Sequence, residues 1–108
     1  MSVDYTKFKS NIDNKDIKLL YFTGGWCPMC RTAMPQTIDI FNKLQLEKDR
    51  VEIIEVNPYK TEPADKLKDN KIFFVPTIVV MSGEKELGRI TETPMKSWEE
   101  DLFEISGY

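Results

Sequence analysis

The two cysteines of this 108-residue chain, Cys27 and Cys30, lie within the stretch Trp26-Cys27-Pro28-Met29-Cys30. The run before them, Lys18-Leu19-Leu20-Tyr21-Phe22, reads as a strand. Gly24-Gly25 makes a flexible turn, and a helical pattern begins at or just after Cys27. Thiols at i and i+3 across the first turn of a helix share one face and lie close enough to join. The first also sits where backbone N–H groups have no helical partner and the helix dipole is positive. A thiolate is stabilised there, which makes the sulfur a nucleophile near neutral pH, and the second thiol can resolve a mixed disulfide. The pair therefore points to dithiol–disulfide exchange. Its other readings are a structural disulfide or half a metal site. Tetrahedral zinc needs four ligands. With no histidine and no third cysteine, an intrachain site would have to borrow carboxylates, and otherwise two copies would have to share one. No metal is expected.

The elements that must position these thiols follow from hydrophobic periodicity. Val3, Tyr5, Phe8 and Ile12 are spaced for a short amphipathic helix over 3–11, with turn chemistry at Asn11, Asp13 and Asn14. Ile17 to Thr23 is an apolar strand of the kind buried in α/β sheets. The longest helical pattern runs from Pro28 to about Leu46, with Pro28 in its first turn and Met34, Ile38, Phe41 and Leu44 as its buried stripe. Pro35 should kink that helix without ending it. Val51 to Val56 is a second strand, and Glu62-Pro63 begins a short helix reaching about Lys68. Thr77 to Met81 and Glu86 to Thr91 are strands joined by the turn Ser82-Gly83-Glu84-Lys85. Ser97 with Glu100 makes a capping box for a closing helix with Trp98, Leu102 and Ile105 on its apolar face. The expected fold class is α/β: a mixed central sheet of about four strands with helices on both faces. The cysteines fall after the carboxyl end of a strand and at the start of a helix, where open α/β sheets place their sites.

Composition bounds the function. A chain of this length is one domain, taken as residues 1–108. Hydrophobic residues at 41% and charged residues at 31% are ordinary for a soluble globular protein. A net charge of −3 with no basic block gives no reason to expect nucleic acid or an anionic membrane as partner. No apolar run approaches a membrane span. The stretch Met1-Ser2-Val3-Asp4-Tyr5-Thr6-Lys7 lacks a signal pattern, so a cytoplasmic protein is expected. Two cysteines are too few for a secreted disulfide scaffold.

Further residues bring in a family. Trp26-Cys27-Pro28-Met29-Cys30, Pro35 five residues after the second cysteine, Val75-Pro76-Thr77, and Gly83 and Gly88 in the hairpin resemble the thioredoxin family over nearly the whole chain. The resemblance implies the thioredoxin fold and a thiol:disulfide oxidoreductase that reduces protein disulfides. It makes Cys27 the exposed nucleophile and Cys30 the more buried resolving thiol. Pro76 becomes a cis-proline facing the cysteines. The backbone of Val75 comes beside them, where an extended substrate can pair as an added strand. Trp26, Pro28, Met29 and Val75 form an apolar platform, and the Met29 thioether suits varied partners. Pro35 is structural support that shapes its helix; Tyr21, by its own place in the strand, reads as structural support too, a buried residue whose hydroxyl needs a partner. No prosthetic group is implied. Electrons come from a thioredoxin reductase or a small thiol such as glutathione, and the protein acts as a monomer.

The chain also departs from the family pattern. Its motif is Cys-Pro-Met-Cys, and proline after the first cysteine looks more like glutaredoxins and some oxidases. The family's buried aspartate, six residues before the nucleophile, is Tyr21, and its lysine falls at Ile53. Thr23 stands where a second tryptophan is common, and Thr93-Pro94 where glycine is usual. These changes bear on the redox potential and the reductase partner. They also remove the usual proton path for Cys30. A phenol, with an ordinary pKa of about 10, is a poor base at neutral pH. Glu52 or Glu55, which flank Ile53-Ile54 on opposite strand faces, or a water, could deprotonate Cys30 in its place. Glu99-Glu100-Asp101 reads as a solvated helix face. Rival readings are a glutaredoxin-like, glutathione-dependent enzyme, an oxidase or isomerase, and a non-catalytic binding module. Pro28 favours the first, and the hairpin's lack of paired glycines opposes it. The intact CxxC opposes the last.

Overall fold

A computed structural model describes residues 3–108. Met1 and Ser2, the start of the stretch read for a signal pattern, lie outside them. Asp4 opens the first helix, its carboxylate accepting the N–H groups of Thr6 at 3.0 Å and Lys7 at 3.1 Å. Helix α1 therefore spans Tyr5–Asn14. It includes Asn11, Asp13 and Asn14, which were expected to turn the chain. Burying Ile12 as well as Phe8 requires the helix to continue past it, and the Lys15 N–H still donates to the Asn11 carbonyl. The turn falls instead at Asp16, with φ 52°, a left-handed conformation that aspartate tolerates.

Strand β1 is Ile17–Thr23, as expected. Helix α2 spans Pro28–Lys43 and passes through Pro35 without ending. Strand β2 is Val51–Glu55 and α3 is Ala64–Asp69. The Glu62–Pro63 peptide before α3 is cis. Strands β3 (Thr77–Ser82) and β4 (Lys85–Thr91) form a tighter hairpin than expected. Ser82 pairs with Lys85, so Gly83 and Glu84 make the turn, and Gly83 supplies φ 61°. Helix α4 is Trp98–Ser106, with the Ser97 hydroxyl accepting the Glu100 N–H at 2.9 Å.

The sheet order is β2-β1-β3-β4. β1 and β2 are parallel, joined through α2, and the other pairs are antiparallel. Alternation along the strands divides the core. Leu19 and Tyr21 of β1 and Ile78 and Val80 of β3 pack with α1, α2 and α4. Phe22 and Val79 face the other way, against Ile54, Val56 and Leu67 of α3. The mixed four-stranded sheet with helices on both faces is thus present, three on one side and the short α3 on the other.

Two packing expectations need correction. The fully buried line of α2 is Cys30, Ala33, Thr37, Ile40 and Phe41, continued by Leu44. Met34 and Ile38 are half-buried on its flank. A threonine is buried there because the Tyr21 hydroxyl gives it a partner. Asp101 is not on a solvated face either: it is 8% exposed. Its carboxylate accepts the N–H groups of Met95 at 2.7 Å and Lys96 at 3.1 Å, fastening the loop before α4. Among the described residues, no helix is long and apolar enough to cross a membrane.

Candidate active site

The end of β1 and the start of α2 place the thiols. The Cys27 N–H donates to the Gly24 carbonyl at 3.0 Å, which closes the strand-to-helix turn. Gly24 must be glycine, because a Cβ there would lie 2.4 Å from Nε1 of Trp26. That indole leans over Gly24 to donate to the Val56 carbonyl at 2.7 Å, so Trp26 ties the turn to the end of β2.

Cys27 is the N-cap of α2, and Pro28 is its first residue. The Cys27 sulfur accepts the backbone N–H of Cys30 at 3.2 Å. An orphan amide of the first turn thus points at the sulfur, the arrangement that stabilises negative charge there. On its other side Cys27 Sγ–H donates to the Val75 carbonyl at 3.8 Å, long but within reach for sulfur. Both cysteines are free thiols. The Val75–Pro76 peptide is cis.

Cys27 was expected to be exposed. It is buried, at 6% exposure against 2% for Cys30, because the Val75–Pro76 turn closes over it. Val75 also differs from its expected place on an apolar platform. Its side chain is buried in the core beside both cysteines, and only its carbonyl faces the thiol. Pro76 is buried, Trp26 is half-buried, and Pro28 and Met29 are exposed. Phe73 and Phe74, just before Val75, stand 72% and 51% exposed. The apolar run Ile72-Phe73-Phe74-Val75 concealed them, since four such residues together look like core. Pro35 is exposed further along α2.

Burial pushes the Cys30 thiol up to about 11, and its contact with Cys27 adds to the effect. Hydrogen bonds from the Thr23 hydroxyl and the Gly24 backbone act the other way. Tyr21 is fully buried, and its hydroxyl shares a hydrogen bond with that of Thr37 at 3.0 Å. Burial holds its phenol above the ordinary value. The structure separates the two glutamates. Glu52 lies on the α3 side, bound to Lys66 and 3.3 Å from Lys18, and the Lys66 contact holds its carboxyl below the usual range. Glu55 lies on the α2 side, where its carboxylate accepts the Gly25 N–H at 3.0 Å. Among the described residues, no group of three or more His, Cys, Asp or Glu side chains converges to hold a metal ion.

A family model described as Thioredoxin matches residues 1–102. The chain is 27% identical to a thioredoxin H-type of Brassica campestris over 100 residues, covering 93% of this chain and 76% of that protein. Among solved structures, thioredoxin 1 from Thermosipho africanus TCF52B superposes with a TM-score of 0.60 at 20% identity, covering 82% of this chain and 88% of the other. Fasciola hepatica thioredoxin does so with a TM-score of 0.59 at 20% identity, covering 92% and 88%.

Proposed function

The chain belongs to the thioredoxin family and is a thiol:disulfide oxidoreductase of the disulfide-reductase kind, and we propose from that premise that Cys27 attacks substrate and Cys30 resolves the intermediate. The Cys27 thiolate attacks one sulfur of a protein disulfide. The substrate S–S bond breaks, and its departing sulfur takes up a proton. Cys30 then loses its proton and attacks Cys27 Sγ. The bond between Cys27 and substrate breaks, the second substrate sulfur leaves as a thiolate, and Cys27 and Cys30 end joined. Two electrons pass from the dithiol to the substrate.

The observation that carries this reading is the environment of Cys27, whose sulfur meets the Cys30 N–H on one side and the Val75 carbonyl on the other. The first is a hydrogen-bond donor aimed at the attacking sulfur. The second marks where an extended substrate strand can pair with the backbone, as Trp26, Pro28 and Met29 contact its side chains. Tyr21 and Pro35 act as structural support. The reading extends to a cytoplasmic monomer serving redox homeostasis and electron transport, recharged by a thioredoxin reductase or by a small thiol such as glutathione.

Trapping tests the assignment. Cys30→Ser mixed with a disulfide-bonded protein should accumulate a mixed disulfide through Cys27, visible by non-reducing electrophoresis and mass spectrometry. Cys27→Ser should form none. Adduct formation by Cys27→Ser alone would reverse the roles. Wild-type protein that reduces no protein disulfide would remove the enzymatic reading.

A further inference from the structure

The resolving step needs an acceptor for the Cys30 proton. Burial holds the thiol up at about 11, so the thiolate is scarce at neutral pH. Tyr21, at the position of the family's aspartate, cannot serve: its phenol is itself raised by burial and its hydroxyl is engaged with Thr37.

Behind Cys30, on the side of α2, lies a crevice of about 140 Å³ lined by Thr23, Gly25, Cys30, Arg31, Met34 and Glu55. That volume holds several waters, and the thiol, the Thr23 hydroxyl and the Glu55 carboxylate are polar partners for them. Glu55 is its one carboxylate among the described residues. Two contacts hold its mouth in shape: the Gly25 N–H donates to Glu55 Oε1 at 3.0 Å, and Arg31 Nη1 donates to the Gly25 carbonyl at 2.9 Å. The charged or titratable groups around Cys30 are Cys27 and Arg31 from α2 and its N-cap, Tyr21 from β1 and Glu55 from β2. Glu52 is on the opposite face, engaged with Lys18 and Lys66.

We propose that Glu55 accepts the Cys30 proton in the resolving step, through water in this crevice. The inference rests on Cys30 being the resolving thiol. The Cys30 proton passes to a water as that water gives a proton to the Glu55 carboxylate. The S–H electron pair forms the bond to Cys27 Sγ, and the bond between Cys27 and substrate breaks with its pair on the substrate sulfur. That sulfur takes a proton from solvent, and Glu55 returns its own to solvent. Transfer concerted with attack avoids the free thiolate.

The test is rapid mixing with a disulfide-bonded protein, acid quenching, and separate measurement of mixed-disulfide formation and decay. Glu55→Gln keeps an oxygen for the Gly25 N–H, so the crevice wall is preserved. Formation should keep its rate, and decay should slow by about 100-fold, the usual scale for losing a general base. Glu52→Gln should change neither step. The pH profile separates proton transfer from support: decay in the wild type should be flat around neutral pH, whereas in Glu55→Gln it should rise tenfold per pH unit toward the titration of Cys30. Decay in Glu55→Gln with wild-type rate and profile overturns the inference and leaves the proposed function standing. Wild-type protein that forms no mixed disulfide overturns both.

Discussion

The backbone N–H of Cys30 donates to the sulfur of Cys27 at 3.2 Å, so the first thiol has a hydrogen-bond donor of the helix's first turn while the second is the more deeply buried of the two. This asymmetry predicts selective alkylation. Iodoacetamide at neutral pH should modify Cys27 and leave Cys30 intact, because Cys30 is 2% exposed with its thiol raised by burial. Peptide mass spectrometry checks it, and equal labelling of both would contradict the geometry.

The same burial makes stability depend on pH. A thiol whose folded value is raised keeps its full contribution below the unfolded value and loses it as pH rises through the folded one. For Cys30 the window runs from its ordinary 9.0 to about 11. The urea midpoint of the reduced protein should fall across that window. The fall should be shallower in Cys30→Ala, where only other groups, Tyr21 among them, still titrate.

Tyr21 should matter for stability and not for turnover. Tyr21→Phe removes its bond to Thr37, while Thr37 retains the carbonyls of Ala33 at 3.2 Å and Met34 at 3.1 Å. A loss of about 1 kcal/mol is expected in denaturant unfolding, with an unchanged reduction rate. A large drop in rate would make the phenol part of the chemistry.

Gly24→Ala should disturb the turn through Trp26. The added methyl would overlap the indole of Trp26, so the ring must shift and its bond to the Val56 carbonyl is strained. Overpacking of this kind costs about 1–3 kcal/mol. A changed Trp26 fluorescence, compared with Trp98→Phe as background, would locate the disturbance.

Asp101→Ala should free the loop before α4. Its carboxylate serves two backbone donors, Met95 and Lys96, and its removal should cost about 1–3 kcal/mol. Hydrogen exchange should quicken at those two amides while β1 stays protected. Unchanged exchange there would place Asp101's contribution elsewhere.

What the sequence by itself determined was local. The spacing of Cys27 and Cys30, the strand and glycine turn before them, the serine cap of α4 and the hairpin at Gly83 each depend on residues a few positions apart. Neighbouring residues set backbone dihedrals, caps and periodicity directly. The boundaries that moved, at Asn14 and at Ser82 and Lys85, did so because burial of Ile12 and pairing across the hairpin extended what local preference would have ended. Tertiary structure alone decided which side chains meet across long separations. Alternation along one strand puts Glu52 and Glu55 on opposite faces, but nothing local says which face backs onto Cys30. The parallel register of β1 and β2 sends one toward the lysines and the other to the back of Cys30. The burial of Cys27 under Val75, 48 residues away, and of Asp101 beneath its loop follows from the same cause. Whether a polar group is solvated or enclosed depends on what the completed core brings over it, and that is known only once the layers have packed.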